Sequence, residues 1–95
     1  MIVSWTLPAL ADLEQIEDFI AQDSPSIAHR LVNHLIDRTE NLLSENPMIG
    51  RRGRVAGTRE LVISKTPYIV VYRVGTRAEV LAVVHGAREW PESFS

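Results

Sequence analysis

The 95-residue chain contains no cysteine. That absence excludes a disulfide framework and a thiolate zinc site, and it gives no reason to expect an oxidising compartment. No apolar run approaches the ~20 residues that span a bilayer, which argues against a transmembrane helix. The opening MIVSWTLPAL carries no basic residue and is soon interrupted by Pro8 and Asp12, so it does not read as a signal peptide. There is no repeat, no low-complexity tract and no composition break that would mark a second domain. A hydrophobic fraction of 45% with 23% charged residues is ordinary for one globular domain. A chain this short buries only about 60–65% of its unfolded surface, so its stability margin is thin. The expected setting is the cytoplasm.

What the chain does have is an uneven charge. The first fifty residues hold two basic residues against eight acids, a local −6. From Arg51 to Arg88 there are eight basic residues (Arg51, Arg52, Arg54, Arg59, Lys65, Arg73, Arg77, Arg88) against Glu60 and Glu79, a local +6. Glu89 and Glu92 bring the net charge to −2. A near-neutral total thus hides a dipolar chain with a basic C-terminal region, a pattern that points to a charged macromolecular partner.

The hydrophobic pattern orders the elements. Ile2 to Trp5 alternates and predicts a short strand. Thr6 and Pro8 signal a helix start, and Leu10, Leu13, Ile16 and Ile20 give that helix one apolar face. Ser24 is a suitable N-cap, and Pro25 suits the first position of a second helix running to about Glu45. Ile27, Leu31, Leu35 and Leu42 line one stripe of it, and Ala28, Val32, Ile36 and Leu43 line a neighbouring one. Two stripes predict packing on both the partner helix and a sheet, or on another protein. Asn46-Pro47 ends the helix. Gly50 to Gly57 reads as a flexible, arginine-rich connector. Arg59 to Ile63, Tyr68 to Val74 and Glu79 to Val84 read as three strands, joined by turns at Ser64–Pro67 and Gly75–Arg77. The expected class is α+β: a short N-terminal strand, a two-helix hairpin on one face, then a three-stranded antiparallel meander completing one sheet.

This order, with the residues at its later elements, resembles the RelE/ParE superfamily of toxins from type II toxin–antitoxin pairs. The resemblance spans nearly the whole chain. It is carried by Ala11-Asp12-Leu13 with Ile16 and Phe19-Ile20, and by Asn46-Pro47 before Gly50-Arg51. It is carried most specifically by Arg59-Glu60-Leu61, Pro67-Tyr68-Ile69-Val70-Val71-Tyr72-Arg73-Val74 and Val84-His85-Gly86-Ala87-Arg88. The resemblance implies two alternative activities on one scaffold. ParE-like members inhibit DNA gyrase by binding it; RelE-like members cleave mRNA in the ribosomal A site without a metal. No cofactor is implied by either. An inactive member kept as a structural or binding protein is a third reading.

Cleavage by 2′-hydroxyl attack needs a base, an acid and cations on the phosphate. Arg88 resembles the arginine that RelE-like nucleases carry beyond their last strand, in a Gly-x-Arg context, and a guanidinium can hold two phosphate oxygens. His85 has the chemistry of an acid or base near neutral pH. Arg59 and Arg73 are candidates to join them on the sheet, and Trp90 or Tyr68 to stack on a base. Against this, the strand position where RelE-like nucleases have an arginine is Ile69, and Glu60 and Val62 stand where RelE presents lysines. ParE-like members have an apolar residue at the Ile69 position and a similar Val-Tyr-Arg-Val finish, so the balance leans to the gyrase-directed branch.

Plainer readings accompany each candidate. His85 at a strand end is more often bonded to backbone than catalytic, and His29 and His34 read as surface residues. Arg51, Arg52 and Arg54 read as contacts to an acidic partner or, more simply, as a solvated loop. Tyr68 and Tyr72, four apart, share a face, with core packing and exposed hydroxyls the default. Trp90-Pro91 suits pinning of the tail to the core, and Glu60 is an expected cross-strand ion partner of Arg73. The resemblance implies a cognate antitoxin with an acidic, amphipathic segment that folds on binding. It also implies a heteromeric complex in which the toxin can pair with itself, and no membrane partner.

Overall fold

The computed structural model of the chain describes residues 1–87. In chain order the elements are β1 (Val3–Trp5), α1 (Leu7–Ala21), α2 (Pro25–Glu45), β2 (Arg51–Arg52), β3 (Arg59–Val62), β4 (Tyr68–Val74) and β5 (Ala78–His85). Both helices start on the signals read from the sequence. The Thr6 Oγ1 accepts the Ala9 N–H at 3.2 Å and donates to the Leu81 carbonyl at 3.3 Å, so one hydroxyl caps α1 and docks it on the sheet. The Ser24 hydroxyl accepts the Ile27 N–H at 3.4 Å, with Pro25 opening α2.

The strands form one five-stranded sheet in the order β1-β5-β4-β3-β2. β3, β4 and β5 are the expected antiparallel meander. β1 pairs with β5 in parallel, which the intervening helices make possible by carrying the chain across the sheet. The Trp5 indole N–H donates to Glu40 at 3.1 Å and ties this edge strand to α2. A register shift at Val71/Tyr72 leaves Leu81 as the extra residue of a bulge, since Ala82 faces Val71 and Val80 faces Tyr72.

One face of the sheet packs on the helix hairpin. Tyr68, Val70 and Tyr72 of β4 join Leu61, Ala78, Val80 and Val83 against Ala9, Leu13, Leu35 and Leu43. Thr39 is buried there too, and its hydroxyl donates to the Leu35 carbonyl at 2.7 Å. The alternate residues of β4 and β5 point away from the helices, yet Ile69, Val71 and Ala82 are buried as well. Central strands covered on both faces explain why their sequence is apolar throughout rather than alternating.

Two sequence expectations need correction. The connector is not a flexible link. Arg51 and Arg52 add an edge strand to β3, and the following loop closes through Gly53 N–H to the Thr58 carbonyl at 2.8 Å and Thr58 hydroxyl to the Val55 carbonyl at 2.6 Å. Glycine is needed at Gly53, where an added Cβ would stand 2.1 Å from Thr58 Oγ1, and at Gly57, whose φ of +78° is left-handed. Tyr72 shares the core face with Tyr68 as expected, but its hydroxyl is not exposed. It accepts the Gly50 N–H at 2.9 Å and donates to the Pro47 carbonyl at 2.7 Å, pinning the helix-to-sheet crossing.

Candidate functional site

The arginine-rich corner is organised around an acid. Glu60 is 3% exposed and sits on the sheet face turned away from the helices, opposite Arg51 and Val71. One carboxylate oxygen accepts from Arg51 Nε at 3.1 Å and its terminal nitrogen at 3.0 Å. The other accepts from the Arg54 backbone N–H at 2.8 Å and Arg54 Nε at 3.3 Å. Burial pushes the Glu60 carboxyl up, but the Arg54 N–H and the two guanidinium groups outweigh it and hold the group below the usual range. Arg51 and Arg54 are therefore counter-ions of Glu60. Arg73 does not pair with Glu60: the register places it opposite Glu79, which it meets at 2.7 Å. The expected Glu60–Arg73 pair fails because these residues sit two ladder steps apart, Glu60 facing Val71.

The remaining candidates are dispersed. Arg59 lies opposite Tyr72, on the helix side of the sheet, and donates to the Gly50 carbonyl at 2.7 Å and the Met48 carbonyl at 3.3 Å. His85 also lies on the helix side but opposite Tyr68, at the other end of β4. Four residues of strand separate these two stations, about 13 Å. The His85 Nδ1 accepts the Ala87 N–H at 3.2 Å, and its ring meets Tyr68 edge-on at 5.7 Å between centroids. Tyr68 is 8% exposed and built into the core, so its ring faces are not open to a base. Arg88 and Trp90 lie outside the described residues. Among the described residues the cations read from the sequence do not converge on one surface: Arg51, Arg54 and Arg73 lie on one face, Arg52 and Arg59 on the other, and His85 at the far end.

His85 instead borders a groove of about 410 Å³ between α1 and the end of β5, lined by Asp12, Gln15, Ile16, Phe19, Tyr68 and Val83. Asp12 was read only as part of the family pattern. Its carboxylate accepts the Val83 N–H at 2.9 Å, on the stretch of β5 beyond its pairing with β1. Burial raises the Asp12 carboxyl above its ordinary value, against the opposing effect of that N–H. No pattern in the sequence links Asp12 to Val83, because the contact spans 71 positions. Among the described residues no three His, Asp or Glu side chains group as metal ligands, and no helix is long and apolar enough to cross a membrane.

The fold that carries these residues is a five-stranded sheet covered on one face by a helix hairpin. Residues 3–90 match the family described as the ParE toxin of the type II toxin–antitoxin system parDE. Y4kP of Sinorhizobium fredii, named as a toxin, is 41% identical over 95% of this chain and 93% of its own length. Toxin RelE2 of Caulobacter vibrioides is 39% identical over 90% of this chain and 96% of its own. The solved chromosomal ParDE system from P. aeruginosa superposes with a TM-score of 0.80 at 28% identity, covering 90% of this chain and 95% of that one. The chain belongs to the ParE toxin family, within the RelE/ParE superfamily. It is the toxin of a type II toxin–antitoxin pair, and its partner is a protein antitoxin.

Proposed function

We propose that this toxin arrests growth by binding a protein target, DNA gyrase, rather than by cutting RNA. One observation supports the reading: among the described residues the candidate base His85 and the candidate cations Arg51, Arg52, Arg54, Arg59 and Arg73 stand at opposite ends of the sheet, and Arg51, Arg54 and Arg73 are already engaged by Glu60 and Glu79. General acid–base cleavage needs both within hydrogen-bond reach of one scissile phosphate. Ile69, buried and apolar, occupies the β4 position where a transition-state cation would be needed, and a missing donor of that kind costs about 10²–10³ in rate. A protein inhibitor has no such requirement. In the cell the toxin would be held in a cytoplasmic heteromeric complex by an acidic segment of its antitoxin, with toxin–toxin pairing as one assembly.

The test is a purified gyrase supercoiling assay run beside a reconstituted translation reaction with labelled mRNA. The expected result is loss of supercoiling with intact transcript. Cut transcript with unaffected supercoiling would overturn the proposal and establish the second reading, ribosome-dependent mRNA cleavage, which the similarity to a protein named RelE2 favours. In that case Arg88→Ala with His85→Ala should abolish cleavage. Absence of growth arrest on expression without antitoxin would instead mark an inactive member.

A further inference from the structure

We propose that the cleft between the β2–β3 edge and the end of α2 is a carboxylate-binding site for an acidic, extended segment of a protein partner, with Arg52 and Arg59 as the receiving pair. This deepens the partner reading given by family membership and is independent of which target the toxin has. Arg52 and Arg59 face each other directly across the β2–β3 ladder. Like charges so placed, with Cβ atoms about 5 Å apart, repel. Among the described residues the Arg52 side chain has no hydrogen bond or ion pair, and the Arg59 side chain bonds only to the carbonyls of Gly50 and Met48. Neither charge is met by a carboxylate, whereas Arg51, Arg54 and Arg73 are.

The two side chains line a cleft of about 510 Å³ whose other walls are Met48, Ala56, Thr58 and Val74. The site is ordered in advance. One terminal nitrogen of Arg59 is fixed on two carbonyls, which leaves its other donors for an anion, and the loop forming the far wall is locked by Glu60 through the Arg54 N–H. Such preorganisation lowers the entropy lost on binding. β2 is the outer strand of the sheet, so an extended chain can run along it.

Guanidinium groups accept phosphate as well as carboxylate, but the walls favour protein. Among the described residues no aromatic ring lines the cleft for a nucleobase to stack on, and that stacking is a main source of affinity for single strands. Met48, Ala56 and Val74 suit apolar side chains alternating with the acids, and Met48 is 53% exposed as it stands.

The experiment uses the full chain and a fluorescein-labelled ten-residue peptide alternating glutamate with leucine. Controls are the same peptide with glutamine for glutamate, and a ten-nucleotide single-stranded RNA. Fluorescence anisotropy should show the glutamate peptide binding at least tenfold tighter than the glutamine peptide and more tightly than the RNA. Arg52→Glu and Arg52→Gln should each weaken it at least fivefold with unchanged circular dichroism, Arg52 being exposed. Arg77→Glu, the same charge change as Arg52→Glu but on the β4–β5 turn, should leave it within twofold. Equal binding of the two peptides, an equal loss from Arg77→Glu, or tighter RNA binding would each overturn the proposal. Gyrase inhibition is read in a separate assay, so neither result decides the other.

Discussion

Replacing Glu60 by alanine removes the acceptor for four hydrogen bonds from Arg51 and Arg54. The carboxylate side chain is 2% exposed, but the guanidinium side chains are 56% and 47% exposed. The arginines therefore regain water when the acid is gone, and the full 3–5 kcal/mol typical of breaking a buried pair does not apply. What remains is the loss of charge-assisted hydrogen bonds, roughly 1.5–3 kcal/mol, centred on the part-buried Arg54 N–H. We expect Glu60→Ala to cost about 2 kcal/mol, which for a domain of this size lowers Tm by about 8–16 °C. Glu60→Gln keeps one acceptor oxygen and should cost about half as much. The pH dependence has a definite sign. Because the folded-state carboxyl is held below its ordinary value, its contribution is present above that value and disappears as pH falls through the folded one. Urea unfolding of wild type and Glu60→Gln should therefore differ at pH 7 and converge in acid. A loss below about 0.5 kcal/mol in Glu60→Ala, or an equal difference at pH 7 and pH 2, would refute the idea that this carboxylate fixes the corner.

Three further outcomes follow from single contacts. Tyr72→Phe leaves the Gly50 N–H without its acceptor in a buried setting and should cost about 1–3 kcal/mol by chemical denaturation. Gly50→Ala places a Cβ 2.6 Å from the Tyr72 hydroxyl and 2.9 Å from the Glu60 carbonyl, so overpacking should cost about 1–3 kcal/mol; a neutral effect would show the crossing to be loose. Asp12→Asn has the opposite sign to Glu60. Its folded carboxyl is raised, so its charge opposes folding as pH climbs through that raised value. The amide keeps an acceptor for the Val83 N–H, and the variant should gain a few tenths to about 1 kcal/mol at pH 7 and nothing in acid; destabilisation at pH 7 would show that the charge itself holds β5.

Element order and type were readable because they rest on local signals. Thr6 and Ser24 cap the helices they announce, and Tyr68–Val74 is strand from end to end. The connector's pairing is not legible because Arg51-Arg52 flanked by glycines has no strand pattern; its backbone pairing with Arg59 and Glu60, up to nine positions on, makes it an edge strand. A buried acid is likewise invisible in sequence, since Glu60 is met by arginines from β2 and from the loop that follows it. The buried Tyr72 hydroxyl is hidden from sequence for the same reason: its partners at Pro47 and Gly50 lie 25 and 22 positions away. The site was less legible than the fold because strand register, not composition, decides which cations share a face.

That distinction changes what the basic half of the chain means. A local +6 in sequence suggests one positive field, yet the sheet divides it. Glu60 absorbs Arg51 and Arg54, and Glu79 absorbs Arg73. Lys65 and Arg77 sit on the turns at opposite ends of β4. At physiological ionic strength charges separated by more than about 8 Å are largely screened from one another, so isolated cations at the two ends of the sheet do not add. Arg52 and Arg59, on one ladder rung, are close enough to act on the same ligand. On the proposal above, recognition by this toxin depends less on its total charge than on the rung where Arg52 and Arg59 are kept together with no described carboxylate between them.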